Sequence, residues 1–206
     1  MSAAVELLVL YYSANGSVAA MANVIARGVG EVDGAEARLR TVPRVSPIYD
    51  PTASDVPSSG PPYADKADLE ETAGLLLGSP TRFGQMAAPL RHFLDSTSDL
   101  WLSGTLAGKP AGVFTASASL HGGQESTLLG MMLPLLHHGM LLTGLPFTEP
   151  ALHQGSGGGS PYGAGHVASA APSHQRSQMN EHERSLCFAL GRRVAQIAVR
   201  LHLGPN

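Results

Sequence analysis

Residues 6–18 read Glu6-Leu7-Leu8-Val9-Leu10-Tyr11-Tyr12-Ser13-Ala14-Asn15-Gly16-Ser17-Val18. The first half, residues 6–12, is a short apolar run of the kind that forms a buried strand. The second half contains small polar residues and one glycine, and it leads into residues 17–29, where apolar side chains recur at helical spacing. A buried strand that turns directly into a helix is typical of an α/β protein with a parallel sheet.

Similar strand and helix patterns alternate along the rest of the chain. Strands are predicted at Ala35–Thr41, Leu75–Gly78, Ala111–Phe114 and Met140–Phe147, and further helices at Met86–Leu94, Glu125–His138 and about Asn180–Leu203. We therefore expect residues 1–206 to form a single α/β domain, a flavodoxin-like three-layer sandwich whose five-stranded parallel sheet has the order 2-1-3-4-5. Long loops are predicted at 42–65 and 149–177, either as flexible surface or as a lid or subunit contact.

The composition excludes several classes of protein. With 206 residues, 43% of them hydrophobic and 14% charged, the chain can bury a core. A net charge of −3 with 13 Lys and Arg residues argues against a nucleic-acid partner, and a single cysteine excludes an intrachain disulfide. Residues 126–148 lack charged side chains, but Pro134, Gly139 and Gly144 interrupt them, so we expect a buried helix and strand and no membrane span. Residues 1–13 show no targeting signal, and the expected location is the cytoplasm.

The loop after the first predicted strand is a candidate anion site. In the predicted order, ligands bind at the carboxyl ends of the strands beside the switch point. Ser13, Asn15 and Ser17 offer side-chain donors there, and free N–H groups at a helix start favour an anion, most simply a phosphate. The loop lacks the lysine of a Walker motif and the glycine spacing of a dinucleotide fingerprint. The alternative is an ordinary strand–turn–helix connection with Ser17 as N-cap.

Two further loops should reach the same edge of the sheet. Residues 78–84 combine a hydroxyl, a guanidinium and an aromatic ring, which could hold a planar heteroaromatic ligand or form a plain surface turn. Residues 115–124 are small and would let the backbone lie along a flat ring. Adjacent helical residues point about 100° apart, so His137 and His138 are poorly placed to share a metal, and we predict no metal site.

Five motifs together resemble the WrbA family of flavodoxin-like NAD(P)H:quinone oxidoreductases. They are Leu10-Tyr11-Tyr12-Ser13, Gly78-Ser79-Pro80-Thr81-Arg82-Phe83-Gly84, His121-Gly122-Gly123-Gln124-Glu125, His137-His138-Gly139-Met140 and Ser160-Pro161-Tyr162-Gly163. The resemblance implies a non-covalently bound FMN, NADH or NADPH as hydride donor, and two-electron reduction of quinones by a ping-pong mechanism. It also implies a homotetramer whose sites are built at subunit contacts.

The resemblance also implies roles for individual residues. The FMN phosphate would be held by Ser13, Ala14, Asn15, Gly16, Ser17 and Val18. The ribityl chain and ring would meet Thr81, Arg82 and Phe83, flanked by Pro80 and Gly84. The isoalloxazine would be lined by Ala116, Ser117, Ala118, Ser119, Leu120, His121 and Gly122. His137 would approach the ring as the catalytic residue, and Trp101 would border the substrate cavity. Asn15 occupies the position of a nicotinamide contact where many members have an aromatic residue.

Other functions fit the same fold class. A flavodoxin-type electron carrier would need an exposed flavin edge and usually a strongly acidic face, which the net charge of −3 does not favour. A receiver domain would need acidic residues at the strand ends, where this chain has Ser13 and Ser79. A non-enzymatic regulatory binding protein is the third alternative. For Trp101, the alternative to a cavity wall is a core anchor.

Overall fold

The central strand β1 (Val5–Tyr11) carries apolar side chains on both of its faces. Leu7 and Val9 belong to one hydrophobic cluster, whereas Leu8 and Leu10 belong to a second cluster on the opposite face. This alternation follows from the two-residue period of a strand, and it requires helices on both sides of the sheet. The computed structural model describes residues 4–46, 56–154, 157–168 and 178–203.

Strands and helices then alternate along the chain. After β1 come α1 (Ser17–Gly30), β2 (Ala35–Thr41), α2 (Lys66–Glu71), β3 (Gly74–Arg82), β4 (Gln85–Met86), α3 (Ala88–Asp95), α4 (Ser98–Leu102), β5 (Pro110–Ser117), α5 (Gln124–His137), β6 (Leu141–Leu142), α6 (Ala151–Gln154), β7 (Ala164–Val167) and α7 (Glu181–Leu203). The sequence patterns did not predict α2, α4, α6 or the two-residue strand β4.

The sheet has the order β2-β1-β3-β5-β6, and all of these neighbours pair in parallel. In terms of the five predicted strands this is the order 2-1-3-4-5, so the predicted flavodoxin-like α/β fold class is confirmed. Helices α1 and α7 pack against one face, and residues of α2, α3 and α5 fill the cluster on the other. No described helix is long and apolar enough to cross a membrane.

The fifth strand position differs from the prediction. The expected strand Met140–Phe147 shortens to β6, which pairs with Pro110 and Ala111 at the start of β5. The chain then leaves the sheet and returns as β7, which pairs with Phe114–Ser117 at the end of β5. The predicted loop 149–177 was therefore wrong where it contains α6 and β7. Gly144 and Pro146 interrupt the apolar run, and Pro146 has no N–H to donate to a neighbouring strand.

The strands next to the switch point extend further than the sequence predicted. β3 continues through Arg82 because Ser79 and Pro80 keep their register with Thr115 and Ala116 of β5. Residues 79–82 and 115–117, which were predicted to lie in loops, therefore belong to strands β3 and β5. In the predicted loop 42–65, residues 47–55 lie outside the described residues, whereas Tyr63 forms a bridge with Thr41 beside β2.

Candidate functional site

A cleft of about 360 Å³ opens at the carboxyl ends of β1, β3 and β5. These strand ends meet there because the sheet order reverses at β1 and β3, which separates the helices that follow them. Most of the cofactor residues implied by the resemblance reach this cleft. Its lining consists of Ser13, Ala14, Asn15, Ser17, Val18, Pro80, Thr81, Arg82, Phe83, Ala116, Ser117, Ala118, Ser119, Gly122 and Ala168.

The first wall is the turn between β1 and α1. Gly16 is the N-cap of α1 at φ 90°, a left-handed conformation that favours glycine, and Ser17 is the first helical residue. The alternative prediction of Ser17 as N-cap was therefore wrong. The N–H groups of Ser17 and Val18 have no earlier helical carbonyl to bond, and the described residues supply no other acceptor. Two free donors at the positive end of a helix dipole are the features that favour a bound anion.

Ser13 organises this turn. Its Oγ accepts hydrogen bonds from Gly16 N at 3.1 Å and from Ala19 N at 3.3 Å. A hydroxyl has two acceptor lone pairs and one proton. Both lone pairs are engaged, so the proton is left to donate to a group in the cleft. Ser13 therefore shapes the turn and adds a third donor beside the two helical N–H groups.

The second wall comes from the end of β3. Among the described residues that line the cleft, Arg82 has the only charged side chain, and its Nη1 donates to Thr81 O at 2.9 Å. Phe83 is fully exposed and has φ 52°, an uncommon conformation for a residue with a side chain. Strained residues cluster at ligand sites, and a bare aromatic ring beside a cleft offers a stacking surface.

The third wall is formed by residues 116–119 and 122 with their small side chains. Ala168 completes it, because Ala168 N donates to Ser117 O at 2.8 Å. Ala168 was not among the predicted site residues, because it follows β7, inside the segment that was predicted to be a loop. Residues 164–168 read Ala-Gly-His-Val-Ala, which carries no clear strand pattern.

Several implied site residues lie outside this cleft. Gly16, Gly84, Leu120 and His121 are neighbours of lining residues but do not line the cleft themselves. His137 and Trp101 line a different cavity, of about 510 Å³, formed by residues of α3, α4 and α5. His137 and Trp101 therefore share one cavity, and neither lines the cleft of its own chain. Their predicted roles stay predictions.

The second cavity has its own polar organisation. Thr97 Oγ1 donates to Leu94 O at 2.7 Å, so it accepts from His138 Nε2–H at 3.0 Å. His138 Nδ1 is buried without a partner in the described part of the chain. Burial, with a smaller contribution from the neighbouring His137, lowers the pKa of His138, which is therefore neutral at pH 7.

Trp101 is half exposed, so the alternative of a core anchor was wrong.

Comparison with known proteins identifies the family. A family model described as NADPH-dependent FMN reductase matches residues 5–144. The chain belongs to this family. It is 42% identical to an NAD(P)H dehydrogenase (quinone) of Geobacter sulfurreducens over 204 residues, covering 96% of this chain and 99% of the relative. It is 40% identical to a protein of the same name from Solidesulfovibrio magneticus over 204 residues, covering 95% and 98%. The resemblance to the WrbA family is confirmed.

Solved structures support the fold of this FMN reductase family member. A WrbA-like flavodoxin of Agrobacterium tumefaciens matches with a TM-score of 0.64 and 23% identity, covering 95% of this chain and 98% of that one. An archaeal flavodoxin matches with a TM-score of 0.62 and 18% identity, covering 95% and 99%. Family membership confirms the predicted enzyme class, with FMN as cofactor and a nicotinamide nucleotide as hydride donor.

Proposed function

We propose that this chain is an FMN-dependent NAD(P)H:quinone oxidoreductase that reduces quinones by two electrons in a ping-pong mechanism. The observation that carries the proposal is the donor cluster at the start of α1, at the mouth of a cleft with an aromatic rim. The relatives named NAD(P)H dehydrogenase (quinone) supply the substrate class.

The cleft residues fit FMN part by part. The unpaired N–H groups of Ser17 and Val18 and the free hydroxyl proton of Ser13 suit a phosphate. The guanidinium of Arg82 adds the positive charge that an anionic cofactor needs, and the exposed ring of Phe83 suits a flat heterocycle. The small side chains at 116–118 leave the opposite side of the cleft open to a ring.

The reaction chemistry belongs to the cofactor, which when bound can accept a hydride from NAD(P)H and pass two electrons to a quinone. The protein binds and orients both substrates over the same exposed surface of the cleft. NAD(P)H and quinone would then exclude one another, and the kinetics would be ping-pong. Asn15 lies on this surface and is our candidate contact for the nicotinamide nucleotide.

We further propose that the active site is completed by a second copy of the chain in a homotetramer. His137 and Trp101 line a cavity apart from the cleft, so they can serve a flavin only if another chain presents them. The surface around them is apolar: Leu129, Leu133 and Leu136 are exposed on α5 at helical spacing, and Leu102 is exposed on α4. Such a patch on a small protein marks an interaction surface. His137 would then hydrogen-bond or protonate the quinone from the neighbouring chain.

Anaerobic half-reactions test the proposal. NADH or NADPH should bleach the flavin absorbance of the loaded protein, and one equivalent of benzoquinone should restore it. Parallel double-reciprocal lines should follow in steady state. Bleaching by NAD(P)H without reoxidation by quinone would contradict the substrate class, and efficient transfer to a one-electron acceptor alone would favour the flavodoxin-type carrier. The cytoplasmic location stays a prediction.

A further inference from the structure

Gln124 is a buried polar residue that none of the roles above uses. It is the first residue of α5, and its side-chain amide lies against Ser117 of β5, His166 of β7 and Gly159 before β7. Its Nε2 lies 2.7 Å from Ser117 Oγ and 3.3 Å from His166 O, and its Oε1 lies 3.4 Å from Gly159 N. A side chain with this many polar neighbours in the interior is held in one orientation.

The neighbours decide which way the amide faces. A carbonyl such as His166 O can only accept, and a backbone N–H such as that of Gly159 can only donate. The NH₂ group must therefore face His166 O and the oxygen must face Gly159. With the amide fixed in this way, Gln124 has to donate to Ser117 Oγ.

This donation sets the direction of the next hydrogen bond. Ser117 Oγ accepts from Gln124 and so turns its own proton to Ser119 O, 2.6 Å away. The same carbonyl also accepts from Gly122 N at 3.1 Å, so Ser119 O is held inside the loop by two donors. In a trans peptide the next N–H points opposite to the carbonyl, which directs the Leu120 N–H out of the loop.

The Gln124 amide fits against β7 because residue 165 is a glycine. A Cβ at Gly165 would collide with Oε1 of Gln124. Gly165 lies in β7, and the same strand leads to the lining residue Ala168. The return segment, residues 157–168, is held a second time by Glu183, whose Oε1 accepts from Gly158 N and Val167 N, both at 2.9 Å. Val167 is itself paired with Ser117 of β5, so Glu183 and Gln124 support the same wall of the cleft.

We propose that Gln124 is a positioning residue for flavin binding, and that it acts through the hydroxyl of Ser117 to fix the conformation of residues 117–122. This inference rests on the proposed function, because it assumes that FMN occupies the cleft. It assigns Gln124 no contact with the cofactor. Its effect on FMN affinity must therefore depend on the presence of the Ser117 hydroxyl.

A double-mutant cycle tests this dependence. FMN dissociation constants would be measured by flavin fluorescence for the wild type, Gln124→Met, Ser117→Ala and the double variant. We expect each single variant to raise the FMN dissociation constant about tenfold, which corresponds to the loss of one hydrogen bond. The double variant should have the same dissociation constant as the single variant that binds FMN more weakly. A product of the two effects, about a hundredfold, would overturn the proposal, as would unchanged affinity in Gln124→Met.

Two further variants keep the test decisive. Gln124→Leu also lacks the amide donor, so it should reproduce the loss if the Met variant fails to fold. Ser13→Ala is the control, because Ser13 lies on the wall between β1 and α1 and its hydroxyl bonds Gly16 N and Ala19 N, so its effect on FMN affinity should multiply with that of Gln124→Met. A wild-type protein that binds no FMN would refute the proposed function itself, whereas FMN binding with multiplying effects of Gln124→Met and Ser117→Ala would refute only the role of Gln124.

Discussion

Replacing Ser13 by alanine should weaken FMN binding and leave riboflavin binding nearly unchanged. The Ser13 hydroxyl accepts from Gly16 N and Ala19 N, which leaves its proton for the ligand. A hydrogen bond to a charged group contributes about 1.5–3 kcal/mol, which corresponds to about a 10- to 150-fold change in affinity. The two N–H groups that the substitution releases can still face a phosphate, so we expect the lower end, about tenfold.

The assay is a titration of each protein with FMN and with riboflavin, which lacks the phosphate. Ser96→Ala is the matched control, because within the described residues Ser96 Oγ bonds Phe93 O alone, at the end of α3 and outside the cleft lining. It should leave both affinities unchanged. Equal weakening of FMN and riboflavin in Ser13→Ala would refute the reasoning, since the hydroxyl would then not face the phosphate.

Three other substitutions test separate parts of the account. Trp101→Ala should keep FMN bound and lower kcat/KM for quinone about tenfold or more, with a stability loss below the roughly 3–5 kcal/mol of a core tryptophan, because the side chain is half exposed; unchanged quinone kinetics would remove it from the site. Because the pKa of His138 lies below its ordinary value of 6.5, protonation of His138 favours the unfolded state. The free energy of unfolding, measured with urea, should therefore fall as the pH drops below 6.5. The fall should be steeper than in His138→Gln, by about 1 kcal/mol or less per pH unit. Equal pH slopes would contradict the buried neutral histidine, and Glu183, with a pKa lowered from 4.5, contributes only at lower pH. Leu133→Glu should convert a tetramer into smaller species by light scattering, whereas Leu201→Glu, at a similarly exposed position on α7, should not. A tetramer in both variants would place the interface elsewhere.

The strands of the sheet could be predicted because each is marked by a local apolar pattern. Their alternation with helices then favours the observed strand order. The run 6–12 is apolar on both faces, which only a central parallel strand requires, and the strand–turn–helix at 13–18 marked one wall of the cleft. The residues of that wall could be identified because they follow directly from strand ends. The same logic identified the walls at 80–83 and 116–119.

The rest depended on contacts that are distant in the sequence. β7 has only four residues, and it becomes a strand because β5 offers it an unpaired edge beyond β6, which no local pattern reveals. Ala168 reaches the cleft at the end of this return segment, and Gln124 bonds to Gly159 and His166 of the same segment. The separation of His137 and Trp101 from the cleft is also tertiary, since it depends on how α4 and α5 pack together.

The most direct test of the central claim is the binding of FMN and riboflavin to the wild-type protein, measured side by side by calorimetry. The account predicts one FMN per chain and an affinity for riboflavin that is at least about tenfold lower, because the donors of Ser13, Ser17 and Val18 would face only solvent. Equal affinities for the two flavins would contradict the phosphate site at the start of α1, and with it the placement of the cofactor in this cleft.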